Sequence, residues 1–145
     1  MTNHEQPLVV EFKVNSDIEK AFDTWTEKTG IWWPKDHTLS GDPRQIVFES
    51  SAGGRIVETS SDGTQHVWGD VLAWERPHLI EFRWYLFFDP ASATHVRLTF
   101  THESDVTCIR LEQTGFTALG AEGLIRRERT VHGWAAIASA YQNSL

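Results

Sequence analysis

A chain of 145 residues is long enough to bury a real core as one domain without disulfides or metal, and residues 1–145 are read that way. Thirteen Lys and Arg against 20 Asp and Glu leave a net charge of −7, with no basic stripe, which speaks against nucleic acid and anionic membrane surfaces as partners. The single cysteine, Cys108, excludes an internal disulfide and a multi-cysteine metal site.

The opening MTNHEQPLVV does not resemble a signal peptide and no apolar run reaches membrane-span length, so the chain is expected to be cytosolic. Leu8 to Val14 reads as a strand, with Val10, Phe12 and Val14 on one side and Glu11 and Lys13 on the other. Ser16-Asp17-Ile18-Glu19 has the spacing of a capping box. Ile18, Phe22 and Trp25 then make the apolar stripe of a short helix to about Lys28, stopped at Gly30. Ile31-Trp32-Trp33-Pro34 is expected to be a short helical turn, with one indole plugging the core and the other at the surface or a pocket mouth.

Asp36 to Arg44 is a loop by composition. A strand meander follows: Gln45 to Glu49, Arg55 to Thr59, Gln65 to Glu75, Leu79 to Phe88, Thr94 to His102 and Val106 to Thr114. Alternation places Ile80, Phe82 and Trp84, Val96, Leu98 and Phe100, and Ile109 and Leu111 on one sheet face. Tyr85 and Phe87 are expected to point the other way, as an exposed aromatic patch suited to a homodimer or protein interface. Gly69 with Val71-Leu72 suggests a bulge that curves the sheet.

Ala121 to Tyr141 is the long helix. Leu124, Val131, Trp134, Ala138 and Tyr141 are expected to face inward, and Glu122, Arg126, Arg129 and His132 outward, with Arg126-Arg127 and Arg129 a solvated face. The order strand, two short helices, six strands, long helix gives an α+β fold, a curved antiparallel sheet of about seven strands gripping the C-terminal helix. That helix is slim, with Gly133, Ala135, Ala136, Ala138 and Ala140, and seven tryptophans supply walls for an apolar cavity beneath it or fill for a solid core. The cavity is expected to be lined by Trp25, Trp33, Ile80, Phe82, Trp84, Val96 and Leu98 with Phe100, Ile109, Leu111, Thr130, Trp134 and Ala138.

The chain resembles the START-like, or SRPBCC, superfamily with its helix-grip fold, and within it the bacterial homologues of the heat-shock-protein ATPase activator's C-terminal domain. The residues carrying the resemblance are Trp25-Thr26 with Ile31-Trp32-Trp33-Pro34, Gly53-Gly54-Arg55, Trp68-Gly69-Asp70-Val71-Leu72-Ala73-Trp74 with Pro77, and Ile80 to Trp84. Thr107 to Leu111 with Gly115-Phe116, and Gly133-Trp134 through Tyr141, complete them. The resemblance implies a fold and a cavity for a hydrophobic ligand, aromatic, acyl or lipid-like. It carries over no catalytic motif. Nothing like the eukaryotic activator's N-terminal domain is recognised, so chaperone activation is not implied.

Chemistry is sparse in the residues themselves. Seven histidines (His4, His37, His66, His78, His95, His102, His132) stand singly, so no metal is expected, and no phosphate loop or nucleophile elbow indicates a cofactor or acyl transfer. Cys108 is read as a small hydrophobic strand residue. Asp70 and His66 are the candidates for an acid/base pair if the bulge turns them into the cavity, which leaves a cyclase- or hydrolase-like enzyme as the alternative to a binding domain. Gln113 and Thr130 are polar groups suited to orienting a ligand.

Overall fold

The computed structural model describes residues 6–145; His4 and the first five residues of the N-terminal segment lie outside the described residues. The elements are β1 (Leu8–Val14), α1 (Ile18–Glu27), α2 (Thr29–Trp32), a 3-10 turn (Lys35–His37), β2 (Pro43–Phe48), β3 (Arg55–Ser60), β4 (Gln65–Glu75), β5 (Leu79–Trp84), β6 (Thr94–Glu103), β7 (Val106–Thr114) and α3 (Ala121–Asn143). All seven strands form one antiparallel sheet in the order β1-β7-β6-β5-β4-β3-β2.

Register in the middle of the sheet follows from alternation. Phe82 pairs with Val96, Ile80 with Leu98, Leu98 with Leu111 and Phe100 with Ile109, so the inward face is apolar in every row. Curvature comes from β4. Its pairing with β5 skips Leu72 between Val71 and Ala73, as the Val71-Leu72 pattern predicts, and its pairing with β3 skips Trp68. Gly69 sits at this bend because a Cβ there would lie 2.1 Å from the Arg83 carbonyl oxygen.

The helical cap is Asp17, whose carboxylate accepts the Lys20 N–H at 2.7 Å; Ser16 turns its hydroxyl to the Asp17 carbonyl, so the capping box does not form. Trp32 and Trp33 are both buried, donating their indole N–H groups to the Thr24 and His37 carbonyls, so neither stands at the surface or at a pocket mouth as expected of one of them. Six tryptophans form one connected stack. Trp25 meets Trp32 at 4.8 Å, Trp32 meets Trp33 at 5.5 Å, and Trp33 meets Trp68, Trp84 and Trp134 at 5.1, 6.0 and 6.2 Å.

One buried ion anchors the sheet to the loop before β2. Glu58 is fully buried in β3 and accepts the Leu39 and Ser40 N–H groups at 2.8 and 3.0 Å, the Ser40 hydroxyl, and the Trp68 indole N–H at 3.0 Å. Burial works to raise its pKa, but the Ser40 hydroxyl, the two backbone N–H groups and the Trp68 indole together outweigh it and hold the carboxyl below its ordinary value. Cys108 contacts Glu103 on the outer side of the sheet, where it is half-buried, and it does not pack as a core residue.

Candidate functional site

The tryptophan stack fills the centre of the grip and leaves a cavity of about 900 Å³ at one end, between the first two-thirds of α3 and the segment leaving β5. On α3 the lining positions Glu122, Arg126, Arg129, Thr130, Gly133 and Ile137 recur at three- and four-residue steps and therefore share a flank. Gly133 leaves that flank slim: a Cβ there would meet only the His37 ring, at 3.9 and 4.0 Å.

The facing wall is made where β5 ends. After Trp84 the chain turns, with the Phe88 N–H bonded to the Tyr85 carbonyl at 2.8 Å and Phe87 at φ 71, a conformation seldom adopted by a bulky aromatic. The turn buries Leu86 and leaves Phe87 and Phe88 at the rim with Ile125 of α3, all about half exposed. Three half-exposed apolar side chains around a cavity mouth form a patch of the kind that meets a ligand or a partner.

Glu122, Arg129 and His132 border the cavity from the exposed side of α3, and the other polar groups of the wall are firmly held. Gln113 is buried; its amide nitrogen donates to the Thr94 hydroxyl at 2.8 Å, and its carbonyl accepts the Trp134 indole N–H at 2.6 Å, fixing that ring. Thr130 turns its hydroxyl back to the Arg126 carbonyl at 2.7 Å. His37 brings its Nδ1 to 2.8 Å from Asp36 Oδ1 at the edge of the cavity. Arg126 is 7% exposed, donates to the Ser92 carbonyl at 2.6 Å, and stacks its guanidinium 3.6 Å from the Phe88 ring centre. Burial draws its pKa below the usual arginine value.

Of the residues expected at the cavity, Trp84, Thr130 and Trp134 line it. Trp25, Trp33, Ile80, Phe82, Val96, Leu98, Phe100, Ile109, Leu111 and Ala138 are buried and do not border it, because the indoles and phenyl rings close over them. Gln113 lines it too, with its amide nitrogen and oxygen engaged by Thr94 and Trp134. In the first half of α3 the buried face lies about one residue, roughly 100°, round from the expected one: Leu124 and Val131 are exposed, whereas Gly123 and Arg126 are buried. Arg126 is thus part of the wall and not of a solvated face.

Tyr85 also departs from expectation. The strand ends at Trp84, so alternation stops; Tyr85 is buried and donates its hydroxyl to Asp70 at 3.1 Å, and only Phe87 of the expected pair is exposed. Neither Asp70 nor His66 borders the cavity. Asp70 is held at 2.7 Å by Arg83, and His66 lines a shallow depression with Ser40, Asp42, Ser60, Ser61, Asp62 and Thr64. The aromatic run from Trp84 to Phe88, which the sequence presents as an outward patch, supplies the facing wall through Trp84, Phe87 and Phe88.

A bent antiparallel sheet gripping a C-terminal helix, with a cavity between them, defines an SRPBCC protein. The chain belongs to the family described as Activator of Hsp90 ATPase homolog 1-like protein, whose match covers residues 15–140. Compared with the curated proteins, it matches none.

Among solved structures, protein MLL2253 from Mesorhizobium loti is 23% identical with a TM-score of 0.70, covering 95% of each chain. The anthrahydroquino-γ-pyrone synthase Txn09, complexed with SUM, is 22% identical with a TM-score of 0.68 over 100% of both chains. DynU16, from the dynemicin biosynthetic locus, is 13% identical with a TM-score of 0.72, over 97% of this chain and 47% of its own. These likenesses establish the fold.

Proposed function

We propose that this protein binds a small hydrophobic ligand in the cavity between α3 and the segment that leaves β5. The observation that carries the reading is the cavity wall. Trp84, Trp134, Leu86 and Ile137 give it a buried apolar surface, Gln113 and Arg126 add fixed polar groups, and the volume suits a ligand of drug size. The likeness in fold to Txn09, described as an anthrahydroquino-γ-pyrone synthase complexed with SUM, supports reading this fold as one that takes a ligand.

Gly133 offers a test that spares the core. A leucine there has room at its Cβ and projects the rest of its side chain toward the cavity. Native mass spectrometry on gently purified protein is expected to show a co-purifying small molecule in the unsubstituted chain and none in Gly133→Leu. A ligand retained by the plugged variant would place the site elsewhere.

A second reading, a cyclase-like enzyme, has one observation in its favour. His37 is oriented by Asp36 and held at the cavity edge through the Trp33 bond to its carbonyl, and a ring nitrogen so placed can move a proton on a bound ligand. Turnover of the bound molecule that survives His37→Gln unchanged would remove His37 from the chemistry, and a bound molecule that is never turned over would remove the enzyme reading and leave binding intact.

A further inference from the structure

Arg126 brings a charge into the cavity wall that no carboxylate among the described residues answers. Among the described residues every ion pair joins other side chains, and Arg126 bonds only to two neutral carbonyls, Ser92 at 2.6 Å and Trp84 at 3.5 Å. A guanidinium has five N–H donors, so three of them, Nε–H included, have no acceptor among the described residues. The side chain is nevertheless 93% removed from solvent, since 7% of it is exposed, and burying a cation without a counter-charge is costly. Stacking on Phe88 and two carbonyl contacts offset part of that cost.

Arg129, three residues on, also borders the cavity, and the one carboxylate in the wall, Glu122, is exposed and makes no ion pair with either arginine. The planar fork of an arginine matches a carboxylate in two parallel hydrogen bonds.

We propose that the ligand is an amphipathic anion, with an aromatic or acyl body against Trp84, Trp134 and Ile137 and a carboxylate seated on Arg126. This rests on the cavity being the ligand site. The unpaired donors then serve the ligand, and the acid is selected over its neutral counterpart because only the anion neutralises the buried cation.

The test compares 2-naphthoate with methyl 2-naphthoate by isothermal titration calorimetry. On the unsubstituted protein the acid is expected to bind about tenfold more tightly than the ester, a difference of ~1.4 kcal/mol. Arg126→Gln should bring the two within about twofold of each other, with Arg126→Lys between, near-ultraviolet circular dichroism confirming that each variant is folded. Equal binding of acid and ester to the unsubstituted protein would overturn the anion and leave the cavity standing. A preference that persists in folded Arg126→Gln would overturn Arg126 as its seat. Failure of both probes to bind would overturn the cavity reading and this inference with it.

Discussion

Trp68 donates its indole N–H to the carboxylate of Glu58 across 3.0 Å inside the sheet, and the same carboxylate clamps the backbone of Leu39 and Ser40. The folded carboxyl titrates below its ordinary value of 4.5, with burial opposing the shift and the donated hydrogen bonds producing it. The sign is then fixed: the unfolded chain binds the proton first, so the contribution is complete above about 4.5 and is lost as pH falls through the folded value. Glu58→Gln replaces one acceptor oxygen by an NH2 group facing donors. It is expected to cost about 3 kcal/mol at neutral pH and to flatten the acid limb of a stability-against-pH curve from urea melts. An acid limb unchanged in the variant would show that other carboxyls govern it.

The grip itself was legible in the sequence because its signals are periodic. Ile80, Phe82, Trp84, Val96, Leu98 and Phe100 alternate strictly, and burial follows them residue by residue. What escaped is what periodicity does not encode. Arg126 is buried although charged, since Phe88 and two carbonyls receive it, and Gly123 is buried although it has no side chain to signal burial. Likewise Tyr85 continues the apolar run of β5 but falls after the strand has ended, and its environment is set by Asp70, fifteen residues earlier. The cavity was legible as a region under a slim helix; its position at one end was not, because it depends on how six indoles pack.

Tyr141 ties the far end of α3 to α1, donating its hydroxyl to the Ala21 carbonyl at 2.5 Å, and burial pushes its pKa well up, so it stays a donor at any ordinary pH. It lies outside the cavity wall. Tyr141→Phe is therefore expected to lose ~1 kcal/mol and to lower the melting temperature by about 3 °C while ligand affinity is unchanged. Loss of affinity in a variant that melts normally would mean that the two ends of the helix are coupled.

Two neighbouring indoles differ in one bond. Trp32 donates its N–H to the Thr24 carbonyl at 2.8 Å, whereas the buried Trp25 Nε1 has no hydrogen-bond partner among the described residues. Replacing either by Phe removes similar volume, but only Trp32→Phe gives up a hydrogen bond, and Trp25→Phe removes a donor whose burial was uncompensated. Chemical denaturation is expected to find Trp32→Phe the less stable by about 1 kcal/mol. The reverse order would indicate that the Trp25 N–H is satisfied by a ring face or by water.

Helix α3 carries two glycines whose replacement by alanine should act in opposite directions. At Gly133 a Cβ meets only His37, at ordinary contact distance, so Gly133→Ala supplies a better helix former without a clash and is expected to stabilise the fold by up to ~1 kcal/mol. At Gly123 the same atom would lie 1.8 Å from the Phe116 carbonyl oxygen and 2.8 Å from its carbon. Backbone cannot yield as a flexible side chain does, so Gly123→Ala must displace the start of α3 from the segment after β7 and is expected to cost about 3 kcal/mol or more. Because Arg126 stands one turn further along α3, that displacement also moves the arginine relative to Phe88. Paired thermal melts would read the opposite signs directly, and a Gly123→Ala variant as stable as its parent would mean that α3 does not dock as closely as described.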